Sequence, residues 1–152
     1  MLVRDTIIST KVVKPGMPVR DVFAECGRAH VQALPCVDET GKLTGRITLK
    51  RIMKLGCLPE HMVAAAPLLG NFLSCVGSSQ AKIEQLLNNV VDPYVQRLHV
   101  SIRSDEPAIK ALAIMEQNDT SYLFVVDEGR YQGVITIQGI AHRMSEIYAA
   151  SS

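Results

Sequence analysis

A chain of 152 residues has room for one ordinary core or two small ones packed side by side. Hydrophobic residues make up 47% of it, which excludes a disordered chain. With 16 basic and 15 acidic residues, a net charge of +1 and no Trp, it has neither a polyanion-attracting field nor base-stacking platforms, so nucleic acid is not an expected partner.

In chain order, the first residues lack the basic, apolar and small-residue succession of a signal peptide. Val12–Val13 predicts a short strand, which the prolines and glycine of Lys14–Pro18 end. Pro18 suits the first turn of a helix carrying Val19, Val22, Phe23 and Cys26 on one face, with Gly27 near its end. Leu34–Val37 predicts a compact strand and Asp38–Gly41 a turn. Leu43–Ile47 returns as the hairpin partner, and Thr48 is placed to cap a helix running through Lys54.

Residues 53–90 are long for a plain connection. The apolar run Met62–Gly77 is broken by Pro67, Gly70, Asn71 and Ser74, and falls short of the roughly 20 residues a spanning helix needs. It has no Lys or Arg to meet anionic lipid, so it predicts self- or partner association without membrane insertion. Ser78 and Ser79 are candidate caps for a helix with Ile83, Leu86, Leu87 and Val90 on one face. A cytoplasmic location is the expectation.

The second half repeats the first. Val100–Ile102 predicts a strand, and Pro107 opens a helix with Ala108, Ala111, Leu112 and Met115. Leu123–Val126 and Tyr131–Ile135 form a hairpin around Asp127-Glu128-Gly129, and Thr136 caps a helix through about Met144. Pro18–Ile52 realigns on Pro107–Ile140 at an offset of 89 (107 − 18), reduced to 88 by one deletion in the turn. The predicted fold class is α/β (α+β): two β-α-β-β-α units, residues 1–55 and 91–152, joined by 56–90. Each is too small to cover both faces of its sheet alone, so the two should pack together and leave a cleft along their seam.

The polar residues offer little catalytic chemistry. Cys26, Cys36, Cys57 and Cys75 lack C-x-x-C spacing and read as reduced packing thiols. Cys57 and His61 have no second matching pair, so no metal site is expected. His30, His61, His99 and His142 are scattered, with no nucleophile turn near them, and no enzyme is expected. Asp38-Glu39 and Asp127-Glu128 sit in hairpin turns, where Asp supplies local hydrogen bonds.

An apolar strand ending in Val-Asp, a Gly turn, then Gly-hydrophobic-Ile-Thr leading into a helix, present twice in register, resembles the cystathionine β-synthase (CBS) domain. The tandem pair resembles a Bateman module. The resemblance implies a regulatory module that binds AMP, ADP, ATP or another adenosyl ligand between its units, forms homodimers and adjusts a partner protein. The positions that hold adenine in the family fall at Val31-Gln32-Ala33 and Thr120-Ser121-Tyr122. Those that meet ribose or phosphate fall at Thr48 with Lys50 and at Thr136 with Gln138; Lys11 completes the candidate set.

The family's ribose-binding Asp is replaced by Arg51 and Gly139, neither of which offers an acceptor side chain. Lys50 and Arg51, beside the helix N-terminus behind Thr48, instead suit phosphates, so the first site is expected to prefer ATP or ADP and the second to be weaker or empty. Two other readings fit the same residues: the threonines as helix caps alone, and the whole chain as a dimerisation or interaction scaffold with vestigial clefts.

Overall fold

The computed structural model describes residues 1–58, 60–68, 80–98 and 100–152. Pro18, at φ −76°, hands the chain into helix α1 (Val19–Ala29), which buries Val19, Val22, Cys26 and Ala29. α1 ends where His30 turns left-handed (φ 55°) and donates its N–H to the Cys26 carbonyl. Strand β1 (Ala33–Val37) is buried along its whole length and pairs antiparallel with β2 (Leu43–Thr48), Ala33 opposite Thr48. Thr48 caps α2 (Leu49–Cys57), its Oγ1 accepting the Arg51 N–H at 3.0 Å. This helix runs three residues past the expected Lys54.

The connection contains α3 (Glu60–Ala64) and α4 (Gln80–Asn88). The candidate caps Ser78 and Ser79, and Met62–Gly77 beyond Leu68, lie outside the described residues. On α4, Leu86 and Leu87 are half-buried while Ile83 stays exposed. A short β3 (Gln96–Arg97) then joins the first sheet beside β2, giving the order β1-β2-β3.

The second unit has β4 (Ser101–Ile102), α5 (Ala108–Gln117) behind Pro107, the hairpin β5 (Tyr122–Asp127) and β6 (Arg130–Thr136), and α6 (Ile137–Ala150). Its sheet order is β4-β5-β6, with β4 parallel to β5. α6 extends six residues beyond the expected Met144. The predicted strand at Val12–Val13 is reduced to one parallel bridge, Val13 to Cys36, because Pro15 and Gly16 (φ 80°) turn the chain away immediately.

Each unit is completed by the segment that precedes the other. Val3 is fully buried among Ile102, Met115, Leu123 and Ile140, with its N–H on the Glu106 carbonyl at 2.8 Å. Ile8 exchanges two 2.9 Å bonds with Val134. Correspondingly, Val91 donates to the Met17 carbonyl at 2.9 Å, and Val91 and Tyr94 are buried in the first core. Both crossings pass over a glycine: a Cβ on Gly133 would lie 2.5 Å from the Ile8 oxygen, and one on Gly45 would overlap the Gln96 oxygen.

Alternation along the second sheet joins the units. Leu123, Val125 and Ile135 face the second core, whereas Phe124 and Val134 point oppositely and pack with Leu34, Ile47 and Ile52 of the first. Phe124 is 1% exposed; its complete burial is worth about 2–3 kcal/mol, part of which comes from the first unit's core and part from Tyr122 and Tyr131 of its own.

Candidate functional site

The seam opens into a cleft of about 1010 Å³. Its first wall grows from β2 and α2. Strand alternation sends Ile47 into the core and puts Arg46 and Thr48 together on the cleft side. Behind the Thr48 cap, the first turn of α2 presents Lys50 and Arg51, with no acidic residue among them, and Lys54 follows one turn on. Cations at a helix N-terminus oppose its dipole, so this wall is electrostatically uncompensated.

The facing wall comes from the second unit. The end of α5 contributes Glu116, and the following turn contributes Asp119 (left-handed, φ 49°), Thr120 and Ser121. Tyr122 and Phe124 extend from β5 with ring centroids 5.5 Å apart. Four cationic side chains thus face two carboxylates, with the positive charge concentrated on the α2 side.

Side chains of the two walls bond across the cleft. Arg46 Nη1 donates to the Tyr122 hydroxyl at 2.9 Å, and Ser121 Oγ donates to Gln32 Oε1 at 3.4 Å. The Nε atoms of Arg46 and Arg51 are buried and have no hydrogen-bond acceptor among the described residues. A buried donor left unpaired costs about 1–3 kcal/mol, and a turn of either guanidinium toward the cleft would let an anion accept from it.

Of the residues singled out in the sequence, Gln32, Thr48, Lys50, Arg51, Thr120, Ser121 and Tyr122 line this one cleft. Lys11, Ala33, Thr136 and Gln138 do not. Ala33 is fully buried in β1, and Gln138 is exposed near the start of α6. Lys11 is exposed and gives its main-chain N–H to Glu25 Oε2 at 2.6 Å. Thr136 accepts the Gly139 N–H at 2.9 Å. The N-terminal segment lies close over that helix start: a Cβ on Gly139 would be 3.9 Å from both the Thr6 oxygen and Ile8 Cδ1.

Arg46, Lys54, Glu116 and Asp119 escaped the sequence reading. Arg46 was accessible in principle, standing two residues before Thr48 on the same strand face. The two carboxylates belong to the other unit, and no local pattern ties them to α2.

A second polar group anchors the crossing segment. Glu25, only 5% exposed, accepts a bidentate pair from Arg28 at 2.6 and 2.8 Å besides the Lys11 N–H. The Arg28 hydrogen bonds hold its carboxyl down at about 2, against the opposing effect of burial. Arg28 also reaches the Ser9 carbonyl at 3.3 Å, and Thr10 shares a 2.5 Å bond with the Tyr131 hydroxyl.

The hairpin carboxylates divide. Asp38 binds within its own turn, accepting from the Thr40 and Lys42 N–H groups, as expected. Asp127 does not: it accepts from the Ser104 N–H and hydroxyl, fastening the loop before α5, because Glu128 and Gly129 close the tighter second turn with positive φ. No group of three or more His, Cys, Asp and Glu among the described residues is arranged to hold a metal. No helix among them is long and apolar enough to cross a membrane.

The seam cleft lies between two β-α-β-β-α units that exchange their leading segments, and the family model of the CBS domain matches residues 3–56 and 91–146. The chain belongs to the CBS domain family and is a tandem CBS pair. Solved structures agree in fold. The CBS domain of a CBS-domain-containing membrane protein from Sphaerobacter thermophilus is 17% identical, with a TM-score of 0.67, over 93% of this chain and 86% of that one. The CBS domain pair of protein MJ0100, solved with 5′-methylthioadenosine and S-adenosyl-L-methionine, is 21% identical with a TM-score of 0.61, over 96% and 97%. CBSX2 in complex with AMP is 20% identical with a TM-score of 0.63, over 97% and 98%. Comparison with curated protein sequences gives no match.

Proposed function

We propose that this chain is a regulatory sensor that binds an adenine nucleotide in the seam cleft and passes the change to a partner protein, without catalysis of its own. The observation that carries the reading is the pair of buried, acceptor-less Nε atoms of Arg46 and Arg51 in a cleft with Lys50, Lys54 and the α2 N-terminus. That wall favours the phosphates of ATP or ADP over a neutral nucleoside. Family membership supports the adenosyl class, since CBSX2 holds AMP and the MJ0100 pair holds 5′-methylthioadenosine and S-adenosyl-L-methionine. The aromatic and hydroxyl groups at Thr120–Tyr122 and the Gln32 side chain are the proposed base contacts.

The walls belong to different units, so a ligand touching both favours one relative orientation of them. Only a difference in affinity between orientations moves that equilibrium. The α6 start is the weaker site in this scheme, since Gln138 and Gly139 supply no cation there. We also place the working form as a homodimer in the cytoplasm.

Titration calorimetry with adenosine, AMP, ADP and ATP tests the ligand; the expected order is ATP or ADP tightest, and adenosine binding as tightly as ATP refutes the phosphate preference. A scaffold with an idle cleft is the competing reading, supported by the missing carboxylate at Arg51 and Gly139. Thermal shift separates the two, because a ligand at one hundred times its Kd adds about 2.7 kcal/mol of stability. No shift with any adenine or guanine nucleotide or with S-adenosylmethionine leaves the scaffold.

A further inference from the structure

We infer that Arg46 is an anion-binding residue that ties occupancy of the cleft to the contact between the two units, its guanidinium being shared between the Tyr122 hydroxyl and the terminal oxygens of an oligophosphate. The Arg46 backbone is held from both sides, opposite Pro35 on β1 and Gln96 on β3, so only the side chain is free to respond. Its Nη1 is engaged at 2.9 Å by Tyr122 of the other unit, while its Nε is buried without an acceptor. A guanidinium with one edge donor satisfied and another idle is half of a bidentate site. Arg51 Nε lies in the same condition on the same wall, and the exposed Lys50 and Lys54 add charge.

Two idle guanidinium donors fit a group with several anionic oxygens, and an oligophosphate is such a group. An anion that supplies an acceptor to Nε turns the fork toward itself and weakens the bond to Tyr122. Ligand charge is thereby converted into a loosened seam. The inference rests on the nucleotide reading only for the rest of the ligand; the anion subsite is testable without any base.

The experiment is calorimetry of the full chain with inorganic tripolyphosphate, ATP and adenosine, for the native sequence and for Arg46→Gln, Arg46→Lys and Tyr122→Phe, with melting curves to establish that each variant is folded. Arg46→Gln is expected to weaken tripolyphosphate and ATP by about ten- to hundredfold and to leave adenosine unchanged. Arg46→Lys keeps the charge without the fork and should recover only part of the loss. Tyr122→Phe removes the competing acceptor, so tripolyphosphate binding should hold or tighten. Equal tripolyphosphate affinity in the native protein and Arg46→Gln overturns the inference, as does absence of tripolyphosphate binding to the native protein. In the latter case ATP and adenosine binding would leave the nucleotide reading standing. Arg46-dependent tripolyphosphate binding with no response to any nucleotide would do the reverse.

Discussion

Replacing Glu25 by Gln tests how the crossing segment is held. The carboxylate is buried, takes both prongs of Arg28, and accepts the Lys11 N–H just where the chain passes between units. Lowering its pKa from 4.5 to about 2 corresponds to about 3 kcal/mol of preference for the ionised form in the folded state. Arg28 is 59% exposed, and solvent screening reduces the expected cost of the substitution to roughly 2 kcal/mol. For a chain of this size, that is a fall in Tm of about 4–8 °C at pH 7.

The pH dependence has a definite sign. A depressed carboxyl stabilises fully above the unfolded value of 4.5 and loses that contribution as pH falls toward 2. The gap between native protein and Glu25→Gln should therefore shrink by roughly half or more at pH 3. Urea unfolding followed by circular dichroism at pH 7, 5 and 3 measures it. Equal stability at pH 7, or a gap that widens on acidification, would refute the reasoning.

Gly133→Ala should destabilise by roughly 2–4 kcal/mol in urea unfolding, because the new Cβ meets the Ile8 carbonyl and disturbs both Ile8–Val134 hydrogen bonds. Gly27→Ala, in α1 with nothing within 4 Å of the added carbon, should instead stabilise by about 0.5–1 kcal/mol; the same sign at both positions would contradict this packing. Burial pushes the Cys26 thiol up to about 11 and the Cys36 thiol to about 12. With Cys57 and Cys75 changed to Ser, the folded protein should resist thiol labelling at pH 8 and react only in denaturant, and prompt native labelling would count against that burial.

Much of the local structure was legible in the residues. Pro18 and Pro107 mark where α1 and α5 begin, and Thr48 and Thr136 cap α2 and α6, because proline geometry and side-chain capping act over three or four residues. The hairpins were equally plain from the apolar strands on either side of the polar, Gly-bearing turns Asp38–Gly41 and Asp127–Gly129. Lengths were less so: α6 runs on to Ala150 because nothing in Ser145–Ala150 breaks a helix, and helix ends carry no obligatory stop. The strand at Val12–Val13 shrank because a two-residue apolar run does not say how soon the chain must turn to reach α1. Asp127 looked like Asp38 in sequence, yet its partner is Ser104, 23 residues earlier.

Taken alone, the amino-acid order determined that two alike units exist, where their helices start and where their hairpins turn, since repetition and periodicity are properties of neighbours along the chain. Tertiary structure alone decided that each unit borrows the segment leading into its twin, and that Arg46 meets Tyr122 at a separation of 76 residues and Gln32 meets Ser121 at 89. Burial of the second sheet on both faces brings those residues together. That contact is set by the fit of two cores, which no local spacing encodes.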